Sequence, residues 1–443
     1  MPNESSPTPS PTAPGSTDRR EGLPAATKGA YLGLAFLTGL NLFNYLDRNV
    51  LSSVLDPIQA DLGLNNAEGG QLASAFMIGY FLTAPLFGYL GDRSPRKWLI
   101  AIGVLFWSAG TILTGFCHSY WPLIACRVLV GLGEASYATL APSWISDLFS
   151  PARRNNAFTI FYVAIPVGSA LGYEAGSIAL NHGGWRNGFL WAGAPGLLLA
   201  LLLLALREPQ RGAADPGEGG GPPVGKPTLK DIGSLFAIPN YLLIVLGYTA
   251  YTFALGAFAV WAPKFLHRTH DMELSRANFL FGLILAVTGL VSTMVGGLVA
   301  TAWQRRNPAG YALLSTFSVI LAVPVAYAAF LVGSAGAAIT CLAAAMFFLF
   351  LSTGPINTLT VESVPVALRG SAMAVSIFTI HLLGDLLSPT AVGYLADLGA
   401  RPGQPDAGLP HALLLLPTVL IVGAVLWAWL AWRQRQAPAT LPA

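Results

Sequence analysis

The ten residues 88–97, GYLGDRSPRK, join two long apolar runs at residues 69–90 and 97–117. Each run is long enough to cross the hydrocarbon core of a bilayer, which takes about 20 apolar residues in a helix. The joining segment combines glycine and proline with one acid and three bases, which is typical of a tight turn at a membrane surface. The stretch therefore predicts a helix, a short turn and a second helix that cross a membrane twice.

The same pattern recurs along the whole chain. The sequence is 54% apolar and 10% charged, whereas a soluble domain averages about 25% charged residues. We predict an all-α membrane protein with twelve transmembrane helices in two six-helix bundles, at residues 29–55, 69–90, 97–117, 121–148, 156–180, 187–206, 240–263, 277–301, 310–332, 336–360, 370–398 and 410–432.

Basic residues are distributed unevenly between alternate loops. With the N-terminus in the cytoplasm, 17 lysines and arginines lie in cytoplasmic segments and 5 lie on the opposite side. This bias predicts that both termini are cytoplasmic. The bases are spread over many short loops instead of one face, so we expect no nucleic-acid partner.

Polar segments predict the domain organisation. Residues 1–28 are rich in Pro, Ser and Thr and lack the apolar core of a signal peptide, so we predict a disordered cytoplasmic tail. Residues 207–239 are rich in Gly and Pro and predict a cytoplasmic linker between an N-terminal bundle, 29–206, and a C-terminal bundle, 240–432. Residues 433–443 are a predicted cytoplasmic tail.

The two halves share a charge pattern. Asp147 at the end of span four is followed seven residues later by Arg154, and Glu362 at the end of span ten is followed seven residues later by Arg369. A proline lies between acid and base in both halves. Related halves are a common plan of transporters, with the substrate site between them near the bilayer midplane. We predict that both pairs contribute to gating.

Several strings resemble a known family. The 88–97 loop resembles the signature loop of the major facilitator superfamily, and the resemblance implies that Asp92, beside Arg93, stabilises one closed state at a helix end. The chain is further similar to the Spinster family at residues 87–93, 131–137, 161–169, 171–173, 207–209 and 381–385. That resemblance implies alternating access, lysophospholipid or sphingosine-phosphate substrates and proton coupling, in a monomer of the bacterial inner membrane.

Some of these residues also occur in proteins of other functions. Residues 44–48, NYLDR, fit the organic anion:cation symporters of the same superfamily equally well, so that reading stays open. A nucleotide loop at residues 131–133 is disfavoured because no strand precedes it. His381 and Asp385 share a helix face, but no acyltransferase motif accompanies them, so we expect no enzyme. The three cysteines lack metal-ligand spacing, and we expect no metal and no cofactor.

Ionisable residues inside apolar spans are costly and usually face a cavity or a partner. We assign Arg127, with Arg48 as a second base, to an anionic headgroup, because a guanidinium matches a phosphate bidentately. Asp47 and Glu134 are assigned to the proton, with His381 and Asp385 as secondary proton sites. Asp47 is expected at a depth between Arg127 and Glu134, bridging to either. We expect Tyr45, Tyr137, Tyr248 and Phe253 to contact the substrate, and Glu174 departs from the family pattern.

Overall fold

The computed structural model describes residues 28–91, 93–210, 229–365 and 368–436. Within these ranges the regular structure is helical, apart from one isolated bridge between Arg401 and Gln404. Eleven of the described segments are helical, long and apolar enough to span a bilayer. The first helix is the twelfth crossing: it has 35 residues, but its asparagines and charged residues lower its hydropathy. The all-α fold and the twelve crossings are confirmed.

The first half consists of six long helices. They are α1 (Lys28–Leu62), α2 (Asn66–Gly91), α3 (Arg96–Thr114), α4 (Tyr120–Leu148), α5 (Pro151–Asn181) and α6 (Trp185–Ala205). A short α7 (Leu229–Ser234) and a 3₁₀ turn precede the second half. We call the side of the molecule where α1 begins and α6 ends the linker side, and the side where α1 ends and α2 begins the far side.

The second half has more interrupted helices. They are α8 (Pro239–His270), α9 (Leu274–Gln304), α10 (Gly310–Leu331), α11 (Ala335–Phe350), α12 (Thr353–Glu362), α13 (Arg369–Ile380), α14 (Ser388–Leu398), α15 (Leu409–Leu413) and α16 (Leu415–Gln436). Predicted span ten is therefore α11 and α12, and span twelve is α15 and α16. Span eleven is α13 and α14, joined by a π-helical turn at His381–Asp385.

Prolines explain two of these interruptions. Pro355 and Pro389 lack the N–H that would bond to the preceding turn, so the helix loosens just before each of them. The freed carbonyl of Leu351 is approached by α9, where a Cβ added at Gly296 would lie 2.1 Å from it. The π turn ends at Asp385, four residues before Pro389, and such turns often mark functional positions in helices.

Small residues allow close helix packing in the first half. Gly168, Gly172 and Gly176, spaced four residues apart, form a stripe on α5 that lies against α1. An added Cβ would come within 2.4 Å of the carbonyl oxygens of Leu42 and Leu46 at the first two positions. The third would meet Ser53. Spacing of this kind places small residues on one helix face and allows two helices to approach closely.

The two halves meet most tightly on the far side. α2 crosses α14, where a Cβ at Gly70 would lie 2.3 Å from Pro389 O and one at Gly393 would lie 2.2 Å from Asn66 O. α5 lies against α9 and α8, and the Tyr173 hydroxyl donates a hydrogen bond of 2.5 Å to the Ala259 carbonyl. Side chains cannot be added here without moving a helix, so the far-side halves of these helices form a closed contact.

The predicted tails and linker lie mostly outside the described residues. Lys28 already belongs to α1, and residues 229–239 of the predicted linker form α7, the 3₁₀ turn and the start of α8. The C-terminal helix continues to Gln436, beyond the predicted end of the last span at residue 432. The domain boundaries remain a prediction.

Candidate functional site

Four charged side chains lie together in the first half. Asp47 and Arg48 project from α1, and Arg127 and Glu134 from α4. Asp47, Arg127 and Glu134 are at most 1% exposed, and the side chain of Arg48 is 18% exposed. Two acids and two bases balance in charge, which is the arrangement that permits ionised groups in an apolar interior.

The ion pair in this cluster joins Arg48 to Glu134. Arg48 Nε lies 2.6 Å from Glu134 Oε2, while Glu134 Oε1 has no hydrogen-bond partner. Close packing brings the helices together: a Cβ added at Gly131 would lie 1.7 Å from Phe76 O, and one at Gly79 would lie 2.0 Å from Val128 O. These glycines bring α2 against α4, and the Phe76 ring of α2 lies 5.0 Å from the Arg48 guanidinium carbon.

Asp47 has a different partner from the one expected. Its Oδ2 accepts a hydrogen bond from the Thr111 hydroxyl of α3, and Oδ1 has no partner. Among the described residues, no ion pair within 4.0 Å joins Asp47 to Arg127, and no hydrogen bond joins Asp47 to Glu134. The bridge expected from helix depth is therefore absent in this conformation, because α3 supplies a hydroxyl next to the carboxylate.

Arg127 is more deeply buried than Arg48. Its Nε and Nη1 have no hydrogen-bond partner, and its guanidinium carbon lies 5.5 Å from the centre of the Phe76 ring. It does not line the cavity described next, so its assignment to the headgroup remains a prediction. In this structure Arg48 is the base at the cavity wall.

A cavity lies between the halves on the linker side of this cluster. α1 contributes Tyr45 and Arg48 together with Asn41 and Asn44, and α4 contributes Tyr137. Residues of α2 and α5 complete the first-half wall, and His381 contributes from the second half. The remaining lining residues are Met77, Tyr80, Ala138, Pro142, Phe161, Tyr162 and Ile165. The cavity is lined mainly by aromatic and apolar residues, and the partly buried Arg48 is the arginine in its wall.

His381 and Asp385 occupy the π-helical turn. His381 Nδ1 lies 2.9 Å from Asp385 Oδ2, and the two side chains are 31% and 20% exposed. The turn packs tightly on α8, since a Cβ at Gly256 would lie 2.4 Å from Asp385 Cβ. The expected proximity of this pair is confirmed, and its role in proton transfer remains a prediction.

The predicted substrate contacts on α8 lie away from this cavity. Tyr248 and Phe253 are partly buried against the core of the second half. The Tyr248 ring packs on Tyr251, 5.8 Å between centroids. These aromatic residues fill space between helices, so their contact with a substrate tail remains a prediction.

The predicted gating residues behave differently in the two halves. Asp92 lies outside the described residues; next to it, Arg93 stacks on Tyr89, 3.7 Å from the ring centre. Asp147 Oδ2 lies 2.6 Å from Arg96 Nη2, and Arg154 donates to the Ser146 carbonyl. In the second half Glu362 and Arg369 are exposed. The gating role of both pairs remains a prediction.

Sequence reasoning missed a polar cluster on the far side. Asp56 of α1 contacts three basic residues of α8: Lys264 at 3.5 Å, His267 at 3.6 Å and Arg268 at 2.9 Å. Asp406, in the loop before α15, lies 2.9 Å from Lys264. We call Asp56, Lys264, Arg268 and Asp406 the far-side latch.

Two further contacts extend the closure. Lys264 Nζ donates to Gln59 Oε1 and Asn66 Oδ1, both at 2.8 Å. The Asp397 carboxylate, at the end of α14, accepts hydrogen bonds from the backbone N–H groups of Asn66 and Ala67, at 2.9 and 2.8 Å. An acid from one half thus caps the N-terminus of a helix from the other half, where the helix dipole favours negative charge.

Comparison with known proteins gives a consistent result. Residues 37–389 match the family described as Major Facilitator Superfamily. The chain is 33% identical over 407 residues to the Sphingosine-1-phosphate transporter SPNS2 of Danio rerio, covering 87% of this chain and 81% of that protein. It is 35% identical over 403 residues to Protein spinster homolog 1 of Homo sapiens, covering 84% and 74%.

A solved structure has the same fold. It is the crystal structure of a bacterial homolog to the human lysosomal transporter Spinster in an inward-facing and unoccupied conformation, with a TM-score of 0.84. The two sequences are 24% identical, and the match covers 94% of this chain and 100% of that chain.

Proposed function

This chain belongs to the Spinster family of the major facilitator superfamily, and we propose that it is a proton-coupled carrier of lysophospholipid- or sphingosine-phosphate-like molecules. It is an integral membrane transporter and not an enzyme. The observation that carries the substrate proposal is Arg48: it lines the cavity between the halves and is held by the buried carboxylate of Glu134.

The cavity suits an amphipathic anion. A guanidinium presents a planar set of donors that matches a phosphate, and Arg48 is the base at the wall. Around it the wall is mainly aromatic and apolar, including Tyr45, Tyr137, Phe161 and Tyr162. We assign the headgroup to Arg48 and the start of the acyl or alkyl chain to these rings. Arg127 would bind the headgroup only if the substrate enters more deeply than Arg48.

The buried acids suit proton coupling. An ionised carboxylate is stable in an apolar interior only with a cation or with hydrogen bonds. When a substrate phosphate draws Arg48 away, Glu134 loses its cation, and uptake of a proton restores its stability. Asp47 has one oxygen without a partner and is the second candidate. Substrate and proton are thereby linked through one arginine.

We assign the described conformation to the inward-facing state. The far side is closed by the far-side latch, and the cavity lies toward the linker side. The positive-inside bias supports a cytoplasmic position for the linker side and both termini. We place the monomeric carrier in the bacterial inner membrane. The inward-facing crystal structure with the same fold supports this assignment.

A chain-length series tests the substrate class. Purified protein is titrated with lysophospholipids of one headgroup and increasing chain length, with small hydrophilic organic anions as competitors. Each buried methylene contributes about 0.8 kcal/mol, so affinity should rise steeply until the cavity fills. Arg48→Gln should weaken binding, while Arg306→Gln, at an exposed position outside the cavity, should not. A flat series with effective competition by the anions would overturn the lipid proposal and favour an organic anion symporter.

A further inference from the structure

The surroundings of Arg48 are those of a cation-binding site. Three aromatic rings surround its guanidinium carbon: Phe76 at 5.0 Å, Tyr45 at 5.1 Å and Tyr80 at 5.9 Å from the ring centres. Glu134 adds a carboxylate at 2.6 Å. We call Tyr45, Phe76, Tyr80 and Glu134 the aromatic box. Aromatic faces around a cation, with an acid beside them, are the chemistry that proteins use to bind ammonium groups of ligands.

Arg48 fills this box with a group of its own chain. Glu134 is fully buried behind it, whereas Tyr45, Tyr80 and Arg48 itself line the cavity. Rotation of the Arg48 side chain into the cavity would open a path from the cavity to Glu134. The box would then be empty and its acid would lack a cation.

Charge balance decides what replaces the arginine. A substrate phosphate attracts Arg48, but leaving Glu134 ionised and unpaired in an apolar interior is costly. A proton on Glu134 removes that cost, and an ammonium group on the same substrate removes it as well, because it enters the box as Arg48 leaves it. The buried site then keeps its neutral balance, with Asp47 and Arg127 unchanged beside it.

We propose that the aromatic box binds the ammonium group of a zwitterionic lysolipid headgroup, in exchange for Arg48, which moves to the phosphate. This inference rests on the proposed function and narrows its substrate class to headgroups that carry both an anion and a cation. A headgroup with a phosphate alone binds more weakly, since Glu134 must then take up a proton before Arg48 can leave it.

Two lysolipids of equal chain length test the exchange. Lysophosphatidylethanolamine and lysophosphatidylglycerol are both phosphodiesters of similar size, and the first alone carries an ammonium group. We expect the wild-type protein to bind the ethanolamine lipid about tenfold more tightly, the scale of one ion pair or a desolvated cation–π contact. Equal affinities would overturn the proposal.

Variants of the aromatic box distinguish a specific loss of the ammonium site from a general loss of lipid binding. Tyr80→Phe keeps the ring and should keep the preference, whereas Tyr80→Leu removes the ring and should reduce the preference severalfold. Glu134→Gln removes the acid and should bring the two affinities close together while binding of the glycerol lipid persists. A Tyr80→Leu or Glu134→Gln protein that weakens both lipids equally would overturn the box.

The same titrations distinguish this inference from the proposed function. If both lipids bind with equal strength, a lysolipid carrier stands and the ammonium site fails. If neither lipid binds in any variant while organic anions do, the lysolipid proposal fails and the ammonium site fails with it. Melting curves of Tyr80→Phe and Tyr80→Leu without ligand confirm that both proteins are folded before the affinities are compared.

Discussion

The Arg268 guanidinium, near the end of α8, donates to both carboxylate oxygens of Asp56 on α1: Nε lies 3.0 Å from Oδ1 and Nη2 lies 2.9 Å from Oδ2. Two parallel hydrogen bonds between a guanidinium and a carboxylate fix geometry as well as charge. The pair joins the two halves on the far side, next to the buried Lys264. Alternating access requires this contact to break each time the far side opens.

Loss of the Asp56 charge should therefore favour the far-side-open state. Asp56→Asn leaves Lys264 buried without this acid, although Asp406 still contacts it. Breaking one partner from a buried pair costs about 3–5 kcal/mol, and the remaining Asp406 should reduce the effect to about 2 kcal/mol. Spin labels at residues 182 and 273, in far-side loops of the two halves, should report longer distances.

A neighbouring acid on the same helix provides the control. Asp61 lies 2.8 Å from Arg186, and both belong to the first half. Asp61→Asn removes an ion pair of the same chemistry without touching the contact between halves. It should leave the label distances unchanged. If Asp56→Asn and Asp61→Asn give the same distribution as the wild type, the far-side latch does not hold the conformation.

Asp397 should contribute to the same closure by capping α2. Replacing a capping acid with alanine costs about 0.5–2 kcal/mol, and this cap exists only while α14 touches α2. Asp397→Ala should shift the label distances in the direction of Asp56→Asn, by a smaller amount. Asp397→Asn keeps a hydrogen-bond acceptor, so its label distances should lie between those of the wild type and those of Asp397→Ala. An effect on thermal stability with unchanged distances would show a purely local role.

The packing of α5 on α1 predicts a stability difference between two glycines. At Gly168 an added methyl group would lie 2.4 Å from the Leu42 carbonyl oxygen, so Gly168→Ala should destabilise the protein by about 1–3 kcal/mol. At Gly297 of α9 no atom lies within 4 Å of an added Cβ. Gly297→Ala should be neutral or stabilising, by up to about 1 kcal/mol. The melting temperatures of the two variants are measured in the same detergent. Equal melting temperatures for Gly168→Ala and Gly297→Ala would contradict the packing argument.

Sequence reasoning predicted the helices better than their ends. Periodic apolar runs and loop charges are local signals, so twelve crossings, the 88–97 turn and the glycine stripe were predictable. The far-side latch was missed because the predicted spans end at residues 55 and 263. The helices continue to Leu62 and His270, and so Asp56 and Lys264 lie inside helices that meet.

Partner choice in the central cluster was predictable only in part. The four charged residues were identified because charges inside apolar spans are rare. Their pairing depends on helix rotation and on side chains that carry no charge. The Thr111 hydroxyl of α3 donates a hydrogen bond to Asp47, and the rings of the aromatic box pack around Arg48 beside Glu134. Neither Thr111 nor Phe76 stands out in a sequence rich in such residues.

The two central arginines should differ in their effect on headgroup binding. Arg48 lines the cavity and Arg127 does not, so Arg48→Gln should weaken binding of a lysolipid phosphate by about 1.5–3 kcal/mol, as for a hydrogen bond to a charged group. Arg127→Gln should have the smaller effect on affinity in this conformation. Calorimetric titration of both variants with a lysolipid shows which substitution causes the larger loss of affinity. A larger loss in Arg127→Gln would place the headgroup deeper, past Glu134.

Proton coupling through the buried acids is the central claim, and transport into proteoliposomes under an imposed pH gradient tests it most directly. The wild-type protein should concentrate a labelled lysolipid in response to the gradient. Asp47→Asn and Glu134→Gln should still bind the lipid and exchange it across the membrane, but should not concentrate it. If both variants still concentrate the lipid in response to the pH gradient, these carboxylates are structural, and the coupling site lies elsewhere, with His381 and Asp385 the next candidates.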